Sequence, residues 1–370
     1  MCSSASLGTS STSVQPRKRD FALDAIKALA IYLVCQTHYM HFNTSIFDNF
    51  IAITSCMGVP LFFMVNGALL LNRGKCDIHR HYQKTLRIIL LCALWKLLSM
   101  LVQALAWNKD LGALAPGDIL SFLIGKNTLD GFELGHFWYL YALVGIYCIY
   151  PLLKCSWDSS AGRTATRYLL GIIAFFTFGL NGISLLWGVF CHIFKLQSSF
   201  SFSYMQSFYI FGTYGYCIVW FLLGGELYEF TQKNHSTSYL IPALCTFGAG
   251  WLLLLGINRF QNLSADANCI VIDGYFSIAT ALMCVSLFYV FCTTLKDRKN
   301  RLIQYISQNT WGIYMLHMLV GIVFLKIQFR FNFPCGIVLN TVKSIWMIAA
   351  SLLIIWVAKK IPLIRKLFSF

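Results

Sequence analysis

The segment RDFALDAIKALAIYLVCQTHYMHF, residues 19–42, sets a carboxylate, an ammonium and an imidazole into an otherwise apolar stretch. Asp24 and Lys27 are three residues apart and share a helix face. His38 follows Lys27 by eleven residues, three helical turns and about 16 Å along the axis at 1.5 Å per residue, so it looks the same way from the far end. A cation at one end of a helix can hold an anion. An imidazole at the other can take a proton from an alcohol near neutral pH. The plainer reading is that Asp24 and Lys27 neutralise each other or snorkel to a membrane boundary, and that His38 hydrogen-bonds a neighbouring helix. His41, nearer the outer boundary, ranks below His38.

A second basic pair, Lys84 and Arg87, lies in HRHYQKTLRIIL and can clamp phosphates at a membrane face. Its alternative role is to set topology and bind lipid headgroups. Further along, His136, Trp138 and Tyr139 open one apolar stretch, Glu226 closes another and His317 sits deep in a third. Trp138 and Tyr139 also suit an interfacial aromatic belt, and Glu226 can reach an interface. His317 lies too deep for that account, and an ionisable residue at membrane depth is a site hypothesis by default.

The elements that must position these groups follow from composition. Of 370 residues, 58% are hydrophobic and only 12% charged, which describes a chain whose solvent is lipid. A spanning helix needs about 20 apolar residues. Ten stretches qualify: 21–41, 50–71, 87–107, 135–153, 168–190, 208–228, 239–257, 269–295, 309–329 and 335–358. The expected fold is an all-α polytopic transmembrane bundle, with tails at 1–20 and 359–370 around a membrane domain at 21–358.

Counting Lys and Arg between these stretches gives twenty on the side of the N-terminus and six on the other, with Lys27, Lys96 and Lys343 inside spans. The positive-inside rule then puts both termini in the cytoplasm. Adding or removing one span would exchange the sides of every later loop and spoil this asymmetry. The longest loop, 108–134, carries Asp110, Asp118, Asp130 and Glu133 on the outer side, and chemistry is expected inside the bundle.

The net charge of +15 comes without a long basic run or a helix-turn-helix pattern, so nucleic acid is not an expected partner. Fourteen cysteines are scattered with no C-x-x-C pair, which argues against a metal site and reads as small apolar packing. The first apolar stretch is flanked by Lys and lacks a small-residue cleavage site, so a removable signal peptide is not expected.

Five segments carry a resemblance. They are LDAIKALAIYLVCQTH (23–38), GVPLFFMVNGALLL (58–71), YQKTLRIIL (82–90), HFWYLYALVGIYCIYPLL (136–153) and WGIYMLHMLV (311–320), with a weaker sixth in YCIVWFLLGGEL (216–227). In order and spacing the chain resembles the membrane acyltransferase type 3 family, whose members O-acylate sugars of surface polysaccharides and related acceptors. It is most similar to the short members without an extracytoplasmic hydrolase-like domain, such as the enterobacterial common antigen O-acetyltransferase and the polysaccharide intercellular adhesin modification proteins. The family has a basic residue, ten intervening residues and a histidine in its first helix, positions filled here by Lys27 and His38. Lys27 and Lys84 stand where Arg is usual, and Asn66 where a Ser is common.

The resemblance implies acyl-CoA, acetyl-CoA first, as a cytoplasmic donor substrate and no permanently bound cofactor. The acceptor is a glycan or lipid-linked sugar hydroxyl, and the location a multi-pass protein of the inner (plasma) membrane. In that reading Lys27, Lys84 and Arg87 hold the donor phosphates and His38 is the general base or forms a transient acyl-imidazole. Asp24 orients Lys27. His136, Tyr139 and Trp138 serve the acceptor or the oxyanion, with Asn66, Glu226 and His317 in support. Membrane lipids are partners and a homo-oligomer is compatible. The rival class is a transporter or polysaccharide exporter, which ten spans with buried charges also suit.

Overall fold

The computed structural model describes residues 19–38, 51–126, 128–129, 132, 135–197, 200–234, 237–264, 274–333 and 336–368. His41, Asp130 and Glu133 lie outside the described residues. Helices make up 82% of the structure, and no strand occurs among the described residues. In chain order they are α1 (Phe21–Thr37), α2 (Gly58–Leu71), α3 (Ile78–Trp107), α4 (Pro116–Ile124), α5 (Trp138–Trp157), α6 (Ser160–Ala174) and α7 (Leu180–Phe194). There follow α8 (Tyr216–Lys233), α9 (Leu240–Ser264), α10 (Ile278–Thr294), α11 (Arg301–Gln308), α12 (Thr310–Phe331), α13 (Ile337–Ala358) and α14 (Pro362–Phe368).

Every one of the ten apolar stretches holds one of these helices, or the α6–α7 pair. Among the described residues seven segments are long and apolar enough to cross a bilayer: Ile53–Leu71, Ile78–Trp107, Gly135–Trp157, Ser160–Phe194, Leu240–Gln261, Thr310–Phe331 and Ile337–Ala358. The other three differ from expectation. Helices α1 and α10 have 17 residues each, and α8 has 18 with Glu226, Glu229 and Lys233 in its last turns. At 1.5 Å per residue these reach only about 25–27 Å, slightly under a 30 Å hydrocarbon core.

One boundary also moves. Helix α3 begins at Ile78, because Asp77 caps it by accepting the Arg80 N–H at 3.0 Å. Lys84 and Arg87 therefore sit within the second and third turns of a helix that projects past the apolar stretch. The long loop 108–134 is not structureless. It contains α4, opened by Pro116 in its first turn. Buried Lys96 donates to the carbonyls of Phe122 and of Lys126, the latter at 3.0 Å, and to the Tyr141 hydroxyl. A cation at the exposed carbonyls of a helix C-terminus is favourable, which gives this lysine a reason to be buried. The C-terminal segment folds back too, with Phe368 buried against Trp95 at a ring separation of 5.4 Å.

Close helix packing explains the Gly-Gly pair of the sixth stretch. A Cβ at Gly67 on α2 would run into the Phe221 backbone on α8, and one at Gly224 on α8 would run into the Met64 backbone on α2. Lipid tails give helices no hydrophobic reason to associate, so backbone proximity through small residues takes over. The same end of α2 is fastened by polar groups. Asn72 donates to the Gly225 carbonyl at 3.0 Å, Lys154 to Leu71 at 2.9 Å and the Tyr150 hydroxyl to Leu70 at 3.0 Å. Pro151 inside α5 has no N–H for the Tyr147 carbonyl, and His81 of α3 supplies the missing donor at 2.7 Å.

The exposed side of α3 (Leu86, Ile89, Leu90, Leu94, Leu98, Leu101, Leu105) is apolar over several turns, as a lipid-facing surface should be. Helices α1, α2 and α8 form the inner layer.

Candidate active site

The polar groups of the inner layer separate towards two ends. Asp20 caps α1 and accepts from Tyr228 near the end of α8 at 2.9 Å, while Asn72 at the end of α2 holds Gly225 of the same helix. The start of α1 and the end of α2 therefore share one end of the bundle, and His38 lies at the opposite end of α1.

There His38 meets two other histidines. It is the C-cap of α1, half-buried, one residue beyond the last helical turn. His136 arrives on the turn Gly135–Phe137 that opens α5, and His317 from the middle of α12. Ring centroids are 6.0 Å apart for His38 and His136, 5.0 Å for His38 and His317, and 5.3 Å for His136 and His317. Three separate elements thus deliver three imidazoles to one point. A histidine needed only to join two helices would not require the other two.

The tautomer of His317 follows from its surroundings. Its Nδ1 is 2.5 Å from the Tyr314 carbonyl, which can only accept, so Nδ1 carries the proton and Nε2 the lone pair. That Nε2 is buried with no hydrogen-bond partner, as are both ring nitrogens of His136. Burying such atoms unpaired is costly, and a substrate polar group is the natural complement. Tyr314, not singled out by the sequence, holds the arrangement: its hydroxyl donates to the His136 carbonyl and its ring lies 5.4 Å from His317. Tyr139 packs on Phe63 at 4.9 Å and on Tyr314 at 5.3 Å, which makes it a wall of the cluster. No group of three or more potential ligands suited to a metal ion occurs among the described residues.

Trp138 lines a cavity of about 840 Å³, whose walls also include parts of the Phe175–Gly179 π-turn between α6 and α7 and of the Phe202–Phe208 turn. Its ring stacks on Tyr214 at 5.4 Å and 15°.

At the opposite end a cavity of about 270 Å³ is lined by Arg73, Lys75, Arg80 and Lys84, with Asp77, His81 and Tyr150 among the other walls. Sequence reading gave Arg73, Lys75 and Arg80 to topology alone, because their convergence depends on the turn between α2 and α3. Along α5, Tyr150 lies 14 residues from His136, about 21 Å away. Arg87 is directed elsewhere, donating to the Lys366 carbonyl of α14 at 3.3 Å.

The remaining predicted residues have structural partners. Asp24 is buried and accepts from Arg19 at 2.5 and 2.7 Å and from Ser307 at 2.7 Å, so its carboxylate ties α1 to α11. Lys27, half-buried one turn on, stays within electrostatic reach of Asp24. Asn66 links α2 to α5, accepting from the Tyr147 hydroxyl at 3.1 Å. Glu226 accepts both arms of Arg167 at 2.9 Å and lies 3.4 Å from Arg163, which joins α6 to α8.

All-helical among the described residues, the bundle combines several apolar spans with a histidine cluster at one end and a basic cavity at the other. The family model described as an acyltransferase domain matches residues 20–360, and the chain belongs to this membrane acyltransferase type 3 family. No match was found among curated proteins or among solved structures. The chain is therefore a multi-pass membrane acyltransferase.

Proposed function

We propose that the protein is an O-acyltransferase that moves an acyl group, acetyl first among the candidates, from cytoplasmic acyl-CoA to a hydroxyl of a cell-surface polysaccharide or lipid-linked sugar. The observation that carries this reading is the meeting of His38, His136 and His317 from three elements. Ten crossings of the inner membrane with both termini cytoplasmic complete it. They place the basic cavity on the donor side and the histidines towards the outer half.

His38 removes the proton of the acceptor hydroxyl. The freed oxygen bonds to the thioester carbonyl carbon, the carbon–sulfur bond breaks, and the departing thiolate takes the proton from the imidazolium. His136 lends a ring nitrogen to the developing oxyanion. Lys84, together with Arg73, Lys75 and Arg80, neutralises the donor phosphates. Lys27 belongs to the same half of α1, and Arg87 contributes charge at the rim while steadying α14.

The fixed tautomer of His317 supports a second assignment, in which its Nε2 is the base and His38 positions the acceptor. Purified protein in detergent with labelled acetyl-CoA and a surface-glycan extract tests the function. Transfer of label supports it. Export of glycan from vesicles without any transfer would assign the protein to the rival transporter class.

A further inference from the structure

The 840 Å³ cavity beside Trp138 is not isolated. A second cavity of about 270 Å³ shares Asn181, Ser184 and Phe276 with it and continues to Asn258 and Gln261 on α9. Binding pockets for small molecules commonly enclose roughly 300–1,000 Å³. The first chamber alone is near the top of that range, and a single sugar ring fills only a fraction of it.

The walls are of two kinds. Aromatic rings, among them Trp138, Tyr209, Tyr214 and Phe276, offer flat apolar faces of the sort on which the C–H face of a sugar lies. Between them stand neutral hydrogen-bonding groups, the amides of Asn181, Gln206, Asn258 and Gln261 and several hydroxyls. No charged side chain lines either cavity among the described residues. That is a strong constraint in a chain with a net charge of +15. An anionic ligand buried there would lack a counter-charge, and an unpaired buried charge is costly.

One polar atom is left over in this lining. The Tyr209 hydroxyl is buried without a hydrogen-bond partner, and it is held against Gly215, where any Cβ would collide with it. That contact fixes the Tyr209 ring as a rigid wall of the chamber. At the near end, Gly135 and Trp138 line the chamber on either side of His136 in the chain, and His136 belongs to the histidine cluster.

We infer that this two-chambered cleft is the acceptor site and that it takes an uncharged oligosaccharide of at least two rings. The ring to be acylated lies against Trp138 and the next reaches towards Asn258 and Gln261. The inference rests on the acyl-transfer reading but is tested apart from it. Uronic acids and phosphorylated sugars would find no cation among the described lining residues and are disfavoured. Single sugars bind weakly because they leave the second chamber's amides unused.

The test is an array of neutral and anionic mono-, di- and tetrasaccharides probed with fluorescently tagged full-length protein in detergent. Expected hits are neutral glycans of two or more rings, with the matching monosaccharides at least tenfold weaker. Trp138→Ala, which removes the ring face of the chamber, lowers affinity for the best hit about tenfold while acetyl-CoA binding is unchanged. A double variant Asn258→Ala, Gln261→Ala removes the advantage of two rings over one and leaves monosaccharide affinity alone. Hits confined to anionic glycans, equal binding of one and two rings, or no glycan bound at all each overturn the inference. If neutral glycans bind but no acyl group passes from any acyl-CoA, the function falls and the cleft stands. If label is transferred to an anionic acceptor, the function stands and the cleft is misassigned.

Discussion

The two ends of the bundle are equipped differently. At one, Arg73, Lys75, Arg80 and Lys84 surround a cavity of about 270 Å³ with Asp77 as the carboxylate among its walls. At the other, His38, His136 and His317 meet, and Gly135 and Trp138, on either side of His136 in the chain, line a chamber of about 840 Å³ whose described walls carry no charge. Between them runs a seam of glycine and aromatic packing along α2, α5 and α8. The difference is one of chemistry: one end gathers cations around a small cavity, and the other offers neutral hydrogen-bonding groups and ring faces.

The sharpest way to break this contrast is at the histidines. His38→Ala should lower acyl transfer at least 100-fold, within the 10²–10⁴ range for a general base, while acetyl-CoA binding persists. A label-transfer assay with donor-binding measurements reads both, and normal product from this variant removes His38 from catalysis. Substituting His317 with Gln tests the second assignment, since a smaller loss than for His38→Ala makes His317 the positioning partner.

Next in size is the basic cavity. Removing charge as Arg80→Gln or Lys84→Gln deletes a charge-assisted bond worth about 1.5–3 kcal/mol, so the donor KM should rise roughly ten- to a hundredfold with kcat nearly kept. An unchanged donor KM returns these residues to topology and lipid contact. The acceptor KM should not move in either variant, and a parallel rise in both would erase the proposed division between the ends.

The seam comes third. Gly224→Val sets two methyls against the Met64 backbone, and overpacking of this kind costs about 1–3 kcal/mol or more. Thermal unfolding in detergent should show a lowered Tm, and activity should fall with the folded fraction. A Tm equal to wild type would mean that α2 and α8 do not approach as closely as described.

The smallest effect is expected at Glu226. Its pairs with Arg163 and Arg167 are partly solvated, and such bridges contribute about 0–1 kcal/mol. Glu226→Gln should therefore shift Tm slightly and leave both KM values unchanged. A tenfold change in either constant assigns Glu226 to a substrate after all.

Much of this was legible in the chain. Hydropathy located the helices because each span must satisfy its own backbone in lipid, and His38, His136, Trp138, Tyr139 and His317 stood out as polar or interfacial groups at membrane depth. Less legible were Arg73, Lys75 and Arg80, which look like any cytoplasmic basic residues until the turn between α2 and α3 gathers them around Lys84. Asp24 and Glu226 were conspicuous for the same reason as His317. Their partners Arg19, Ser307, Arg163 and Arg167 lie on other elements or ahead of the helix, so only their placement identifies them as ties between helices.

The sequence by itself determined that the protein is a helical membrane bundle and that it carries the motifs of its acyltransferase family, because span length, apolar run and motif spacing are local properties of the chain. The tertiary structure alone decided that three histidines, 98 and 181 positions apart in succession, come within 6.0 Å. It also decided that His317 presents Nε2 as its lone pair, and that a chamber with no charged residue among its described walls opens at Trp138. Those facts depend on which helix faces meet, and helix packing in lipid is set by backbone proximity and buried hydrogen bonds between segments distant in sequence.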